Sequence, residues 1–312
     1  MTVVSVQPTF YCNLRCPYCY LGNLRNKFQL LDLYNLGDKL LPEILSRTKI
    51  TTIDIFGGEV SILPSIYLEY LFKICLEYCN SVNVTSNLFN LDILETLKKF
   101  PKINLAISWN KERADCSRIE EILDNQNKYF KNLDNKKQIL TVALPSLLKE
   151  DPKKILNRFE KWNLPVTILR YFPSEENALY NLTTKDYEDF LIKILETYLT
   201  GNYTFTLNNH QQLLKVEKEP LMTSNLFIQP SGEYSWISYD GNKEVYLHDK
   251  NIGNWEIDSK LENFKYRQKC LSCSFYNCCL AEHLNFNDIK EDTCCGLKNL
   301  LKWWYEKGIY LG

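Results

Sequence analysis

The chain has 312 residues, 45% of them hydrophobic, with 37 basic and 38 acidic side chains and a formal net charge of -1. That is a globular profile, large enough for one big domain with an appendage or for two domains, and it excludes disordered, collagen-like and coiled-coil classes. Near-neutral charge with no basic patch argues against nucleic acid as a partner. The start, MTVVSVQPTFYC, has neither the basic nor the apolar region of a signal peptide, and no apolar run reaches the roughly 18 residues of a membrane span, so a cytosolic chain with no membrane partner is expected.

In chain order, β-rich runs at 3–10, 51–56, 81–85, 103–109, 138–144 and 166–171 predict strands. Segments at 33–47, 65–79, 91–99, 118–132 and 152–162 have helical spacing, as in Leu68, Leu71, Phe72 and Cys75. Pro64-Ser65 and Asp151-Pro152 are helix starts, and Asn163 with Pro165 is a stop. Six strands alternating with helices imply βαβ units and a parallel sheet, either doubly wound or a partial barrel. A further helix at 184–199 starts at Thr183-Thr184 and ends at Gly201. Short strand-like pieces follow at 203–207, 226–229, 234–239 and 244–247, with turns at Pro230-Ser231-Gly232 and Asp240-Gly241. The change of texture near 180–205 divides the chain into domains 1–200 and 201–312.

Twelve cysteines stand at 12, 16, 19, 75, 79, 116, 270, 273, 278, 279, 294 and 295. A reducing cytosol turns attention from disulfides to metal, cluster or redox chemistry, and the gap from 117 to 269 suggests two separate sites. Cys12, Cys16 and Cys19 follow the first strand, and three thiolates on one loop can bind three irons of a [4Fe–4S] cube and leave the fourth open to a small molecule. Zinc is the competing reading. It wants four ligands, and with no His before His210 it would have to recruit a distant cysteine. At the end of the second strand stands Phe56-Gly57-Gly58-Glu59, where glycines allow close backbone approach and a carboxylate can accept hydrogen bonds from an ammonium group.

The CxxxCxxC triplet, with Tyr18 as the aromatic before the third cysteine, and the GGE turn in the next βα loop together resemble the radical S-adenosylmethionine (radical SAM) enzymes. The resemblance implies an α/β fold, a partial (β/α)6 TIM-like barrel followed by a small α+β auxiliary iron–sulfur domain. It implies that Cys12, Cys16 and Cys19 hold a SAM-binding [4Fe–4S] cluster, and that S-adenosyl-L-methionine is cleaved to a 5′-deoxyadenosyl radical that takes a hydrogen atom from a substrate. Tyr18, Gly57, Gly58 and Glu59 would then contact SAM. Asn87 in Thr85-Ser86-Asn87, Ser108 and Asn110 in Ser108-Trp109-Asn110, and Arg170 in Leu169-Arg170-Tyr171 are the corresponding strand-end candidates. For each of these four the alternative is a polar residue at an exposed strand end. The sequence departs from peptide-modifying relatives at Val60, where a proline commonly follows GGE.

The segment KCLSCSFYNCCLAEHLNFNDIKEDTCCGLK is similar to the end of the SPASM and twitch extensions. That similarity implies one auxiliary [4Fe–4S] cluster on Cys270, Cys273, Cys279 and Cys294, with Cys295 as fallback. A second auxiliary site is expected to be lost, because 202–269 holds no cysteine and the position three residues beyond the run is His283. A zinc knuckle on the same cysteines is the alternative. Cys75 and Cys79 are expected to be buried, Cys116 to be a plain surface thiol, and the Trp303-Trp304-Tyr305 end to pack. Cys278 and Cys295 are spare thiols that could donate a hydrogen atom to a substrate radical.

The function expected is modification of a ribosomally made peptide by crosslink, thioether, epimerisation or excision, with a twitch-type alcohol dehydrogenase and a non-enzymatic zinc or cluster protein as alternatives. Because the chain starts at the first barrel strand, a separate leader-recognition protein is expected as a partner, along with a flavodoxin- or ferredoxin-type electron donor.

Overall fold

A computed structural model describes residues 2–171, 178–215, 224–235, 273–275 and 297–308. Among the described residues there are eight strands: β1 Thr2–Val6, β2 Ile50–Ile55, β3 Val82–Ser86, β4 Ile103–Ser108, β5 Lys137–Val142, β6 Val166–Leu169, β7 Ser224–Ile228 and β8 Tyr234–Ser235. They are hydrogen-bonded in the order β6-β5-β4-β3-β2-β1-β7-β8. Seven are parallel, forming the half-barrel of an α/β partial TIM-like fold, and β8 closes an antiparallel hairpin on β7. All six strands expected from periodicity are present. β7 adds a seventh by pairing in parallel with β1, from Thr2 opposite Ser224 to Val6 opposite Ile228.

By packing, the chain forms two compact units, Met1–Ile139 with Thr223–Asp258 and Leu140–Met222 with Ser259–Gly312. In the first unit one face of the sheet carries the apolar core. Val4, Val6, Ile53, Ile55, Val82, Val84, Ile103 and Leu105 are fully buried, while Asp54, Asn83 and Asn104 lie between them on the other face. Helix Ser65–Tyr78 begins after Pro64 and buries Leu68, Leu71, Phe72 and Cys75. Cys79 is buried as well. The expected helix 33–47 includes a π turn, Leu36–Leu40, before Leu41–Arg47. The expected helix 118–132 is instead two pieces, Cys116–Asp124 and Gln126–Tyr129, interrupted at Asn125, which leaves the helical region at φ -116°.

In the second unit, Asp151 caps Pro152–Trp162 by accepting from the Lys153 N–H, and left-handed Asn163 ends it. Thr183 and Asp186 form a capping box on helix Thr184–Thr200. The expected strand at 203–207 is corrected. Tyr203 and Phe205 join an aromatic cluster with Tyr198 and Phe159, only Leu207 bridges to Val166, and a helix, Asn208–Lys215, follows. The pieces at 236–239 and 244–247 lie outside the described residues.

The C-terminal helix Lys298–Glu306 has no side-chain cap of its own. Buried Glu188, from helix Thr184–Thr200, supplies the acceptors: Oε1 takes the Asn299 N–H at 2.7 Å and the Leu300 N–H at 3.2 Å, and Oε2 takes Asn299 Nδ2 at 2.8 Å. Trp304 is buried against His210, and Trp303 Nε1 donates to Glu196. Replacing Glu188 with Ala strands the Leu300 N–H away from water and is expected to cost about 2 kcal/mol, measured by urea unfolding, whereas Glu188→Gln, which keeps an acceptor, costs less.

Candidate active site

Four loops leave the carboxyl ends of β1, β2, β3 and β4, the edge at which parallel α/β sheets bind ligands. The first carries Cys12, Cys16 and Cys19, all free thiols of intermediate exposure. Backbone bonds from Cys19 N–H to the Cys16 carbonyl (3.1 Å) and from Gly22 N–H to the Cys19 carbonyl (3.3 Å) curl it into the short helix Gly22–Asn26.

Arg25, on that helix, closes the loop. Its carbonyl accepts the Cys12 N–H at 3.1 Å, and its Nη1 donates to the Cys16 carbonyl at 3.0 Å. The guanidinium also hydrogen-bonds to the Cys19 sulfur. Burial pushes the Cys12 thiol up to about 12; the Leu14 N–H, 3.4 Å from the sulfur, opposes this, and Glu59 and the other two cysteines add to it. The Cys19 thiol is likewise raised by burial, against the Leu21 N–H and Arg25.

The second loop is the glycine pair. Gly58 N–H donates to the Thr9 carbonyl at 2.8 Å and Glu59 N–H to the Tyr11 carbonyl at 3.0 Å, so the turn lies directly on the chain that leads into Cys12. A Cβ on Gly58 would stand 2.0 Å from the Tyr11 oxygen, and one on Gly57, which has φ +152°, would stand 2.3 Å from the Thr9 oxygen. The close approach that requires glycine is therefore to the chain's own backbone.

Glu59 is 3% exposed. Its Oε1 accepts from the Ser61 N–H (2.8 Å) and the Ser86 hydroxyl (2.5 Å), and its Oε2 from the Asn87 N–H (2.8 Å). A carboxylate offers about four acceptor positions, so three are used within the chain and one, on Oε2, is left for a ligand donor. Val60, at the expected proline position, is buried at the start of the 3₁₀ turn Val60–Ile62.

On the third loop, Asn87 Nδ2 reaches Asn13 Oδ1 of the cysteine loop at 3.4 Å. On the fourth, Ser108 Oγ accepts from Arg113 Nη1 at 2.8 Å, and Asn110 is buried, with its carbonyl accepting the Arg113 N–H. Arg113, buried and paired with Asp115 at 2.9 Å, went unrecognised in the sequence because no motif spacing marks it. It interacts electrostatically with Tyr18 and Cys16; Tyr18 is hydrogen-bonded to Cys16, and burial raises its phenol well above the ordinary range. Arg170 lies in the second compact unit, where its Nη2 donates to Thr184 Oγ1 at 3.0 Å.

The donor set suits an anionic, thiolate-bound group. Buried Nδ2 of Asn13, Nε of Arg25 and Nη2 of Arg113 have no hydrogen-bond partner among the described residues. Among the described residues no three His, Cys, Asp or Glu side chains converge on a position for a metal ion. One tetrahedral zinc needs such convergence, while a cube spreads its thiolates over separate irons.

Of the auxiliary ligands, Cys273 is a partly exposed free thiol, while Cys270, Cys279, Cys294, the fallback Cys295, Cys278 and His283 lie outside the described residues. Cys116 is partly buried at the start of its helix, and burial with Glu120 lifts its thiol to about 11. No described helix is long and apolar enough to cross a membrane.

No protein-family model and no curated protein matches the chain. Among solved structures, it resembles anSMEcpe with bound AdoMet and Cp18Cys peptide at 15% identity, over 98% of this chain and 95% of that one, with a TM-score of 0.68. It also resembles Streptococcus suis SuiB bound to the precursor peptide SuiA, at 17% identity over 93% and 73% of the two chains (TM-score 0.63), and SuiB bound to S-adenosylmethionine, at 15% over 93% and 74% (TM-score 0.62). At these identities the likeness establishes the fold.

Gly58→Ala is expected to push the turn off residues 10–11. It should either prevent folding or displace the cysteine loop, and iron retained after anaerobic reconstitution, read beside circular dichroism, reports which.

Proposed function

We propose that the chain is a radical SAM enzyme that modifies a peptide. The observation carrying this reading is the cysteine loop held against the Gly57-Gly58-Glu59 turn at the carboxyl edge of a parallel half-barrel. The shared fold with AdoMet-bound anSMEcpe and with SuiB in complex with SuiA supports it.

Cys12, Cys16 and Cys19 would hold a [4Fe–4S] cluster that, when bound, supplies one electron to the sulfonium of S-adenosyl-L-methionine, yielding methionine and the 5′-deoxyadenosyl radical that abstracts a substrate hydrogen atom. The chain's residues have binding and positioning tasks. The remaining acceptor position on Glu59 Oε2 suits the ammonium of the SAM methionine, and the unpartnered Arg113 Nη2 offers a cationic donor to a carboxylate. Asn87, Ser108 and Asn110 place further polar groups at the same edge. Arg170 joins the SAM contacts as a further element of the proposal, as do Tyr18, Gly57 and Gly58.

The proposal extends to the division of tasks along the sequence, with the partial barrel in 1–200 and an auxiliary domain in 201–312. There Cys270, Cys273, Cys279 and Cys294 bind one auxiliary [4Fe–4S] cluster whose four protein ligands leave no open iron, suiting electron transfer or structure. A separate leader-recognition protein, a flavodoxin- or ferredoxin-type donor and a cytoplasmic location complete the reading.

Anaerobic incubation with SAM and a strong reductant should yield 5′-deoxyadenosine, and Cys16→Ala should abolish it. Zinc without iron in the purified chain overturns the reading. Mass change in a candidate precursor peptide, against oxidation of a small alcohol, decides the substrate class. Arg25→Leu removes both guanidinium braces on the cysteine loop; it is expected to lower reconstituted iron severalfold, and Arg25→Lys should recover part of it.

A further inference from the structure

The face of the first unit's sheet that does not carry the apolar core bears a row of polar side chains. Ser5, Asp54, Asn83 and Asn104 are direct neighbours across β1, β2, β3 and β4. Their hydrogen bonds run one way: Asn104 Nδ2 donates to Asn83 Oδ1 at 2.8 Å, and Asn83 Nδ2 donates to Asp54 Oδ1 at 2.6 Å. The row therefore ends on a carboxylate whose Oδ2 remains an open acceptor. Burial raises the Asp54 carboxyl above its ordinary range, while the Asn83 bond works to lower it.

Gln7 stands two residues beyond Ser5 on the same face, its backbone held extended by the bond from its N–H to the Ile228 carbonyl at 2.8 Å. It is 0% exposed, and neither Oε1 nor Nε2 has a hydrogen-bond partner among the described residues. A primary amide shut away from water with both ends unpaired is unfavourable where Leu or Met would pack without that penalty, so its retention points to something that pairs with it.

The complement of a side-chain amide is a group that presents a donor and an acceptor side by side, as the N–H and C=O of one residue in an extended chain do. Asp54 is level with Ser5 on the neighbouring strand, so Gln7 stands diagonal to it, one two-residue repeat along the strand (about 6.6 Å) and one strand spacing across. Groups on one edge of an extended peptide lying along β1 recur at that same two-residue repeat. We propose that Gln7 and Asp54 form a subsite that binds one edge of an extended peptide, Gln7 pairing two-point with the N–H and C=O of one residue and Asp54 Oδ2 accepting the N–H of the residue two positions away on the same edge. The subsite rests on the peptide-modifying reading and adds to it the contacts by which the sheet would hold the substrate.

The probe is acetyl-Gly-Gly-N-methylamide, titrated into the reconstituted, SAM-loaded protein under anaerobic conditions, beside an ester analogue in which an oxygen replaces the N–H of the first glycine. The proposal expects saturable binding to the wild type and about tenfold weaker binding to Gln7→Met and to Asp54→Asn. It also expects weaker binding of the ester to the wild type, and an unfolding temperature for Gln7→Met no lower than that of the wild type. No binding to the wild type, or equal binding by variants and by ester and amide, overturns it. Should a variant fail to fold, the ester comparison on the wild type still decides. 5′-Deoxyadenosine formation by the wild type without the probe is measured in the same preparations. Its absence alongside the expected binding pattern sinks the radical SAM reading alone, and its presence without probe binding sinks the subsite alone.

Discussion

Two peptide planes in van der Waals contact hold the candidate site together. At Gly57 and Gly58 the end of β2 runs so close to residues 9–11 that no side-chain carbon fits between them, and the N–H groups of Gly58 and Glu59 are bonded across the gap. The cysteine loop begins one residue after this contact. Its first ligand is therefore positioned by backbone hydrogen bonds to a neighbouring strand end, and loop preference plays little part. Glu59 carries the constraint onward to β3 through Ser86 and Asn87, and Asn87 returns it to the cysteine loop at Asn13. Hydrogen bonds to a charged acceptor are each stronger than neutral ones, on the order of 1.5–3 kcal/mol, so the three strand ends are expected to move as one body.

The far side of the cysteine loop depends on charged side chains. Arg25 ties the three cysteines from outside, through one backbone carbonyl and two donated bonds, and Arg113 approaches Cys16 and Tyr18 from the loop after β4. Each cation brings a buried nitrogen with no hydrogen-bond partner among the described residues. Such an arrangement is unfavourable while the thiols are neutral and becomes favourable once they are thiolates on a metal, because the same groups then face negative charge. Burial, which raises the Cys12 and Cys19 thiols, and these cations, which favour thiolates, are thus opposing influences that cofactor binding would resolve.

Periodicity within β-rich runs made the strands legible: 51–56 is realised as Ile50–Ile55, and 103–109 as Ile103–Ser108. It could not reveal that Ser224–Ile228 pairs with β1, since the partner of a parallel strand is a long-range fact and period is a local one. Residues 203–207 have the aromatic and β-branched texture of a strand, yet Tyr203 and Phe205 spend it on stacking with Tyr198 and Phe159, so tertiary packing overrode propensity. In the site, Cys12, Cys16, Cys19 and the glycine pair were visible by spacing. Arg25 and Arg113 were not, because a lone arginine in a loop has no pattern until the fold brings cysteines beside it.

The glycines also show how one motif can carry a structural demand. The Thr9, Phe10 and Tyr11 carbonyls stand where a Cβ on Gly57 or Gly58 would be. The close-packed turn supports the last acceptor position of Glu59 and the loop carrying the thiols. The same logic separates two of the buried polar side chains at this sheet. Glu59 is nearly saturated by its own chain and acts chiefly as a strut, while the Gln7 side chain, as deeply buried, has no hydrogen-bond partner among the described residues. Degree of satisfaction, more than burial or residue type, distinguishes a buried polar side chain that builds a site from one that is available to occupy it.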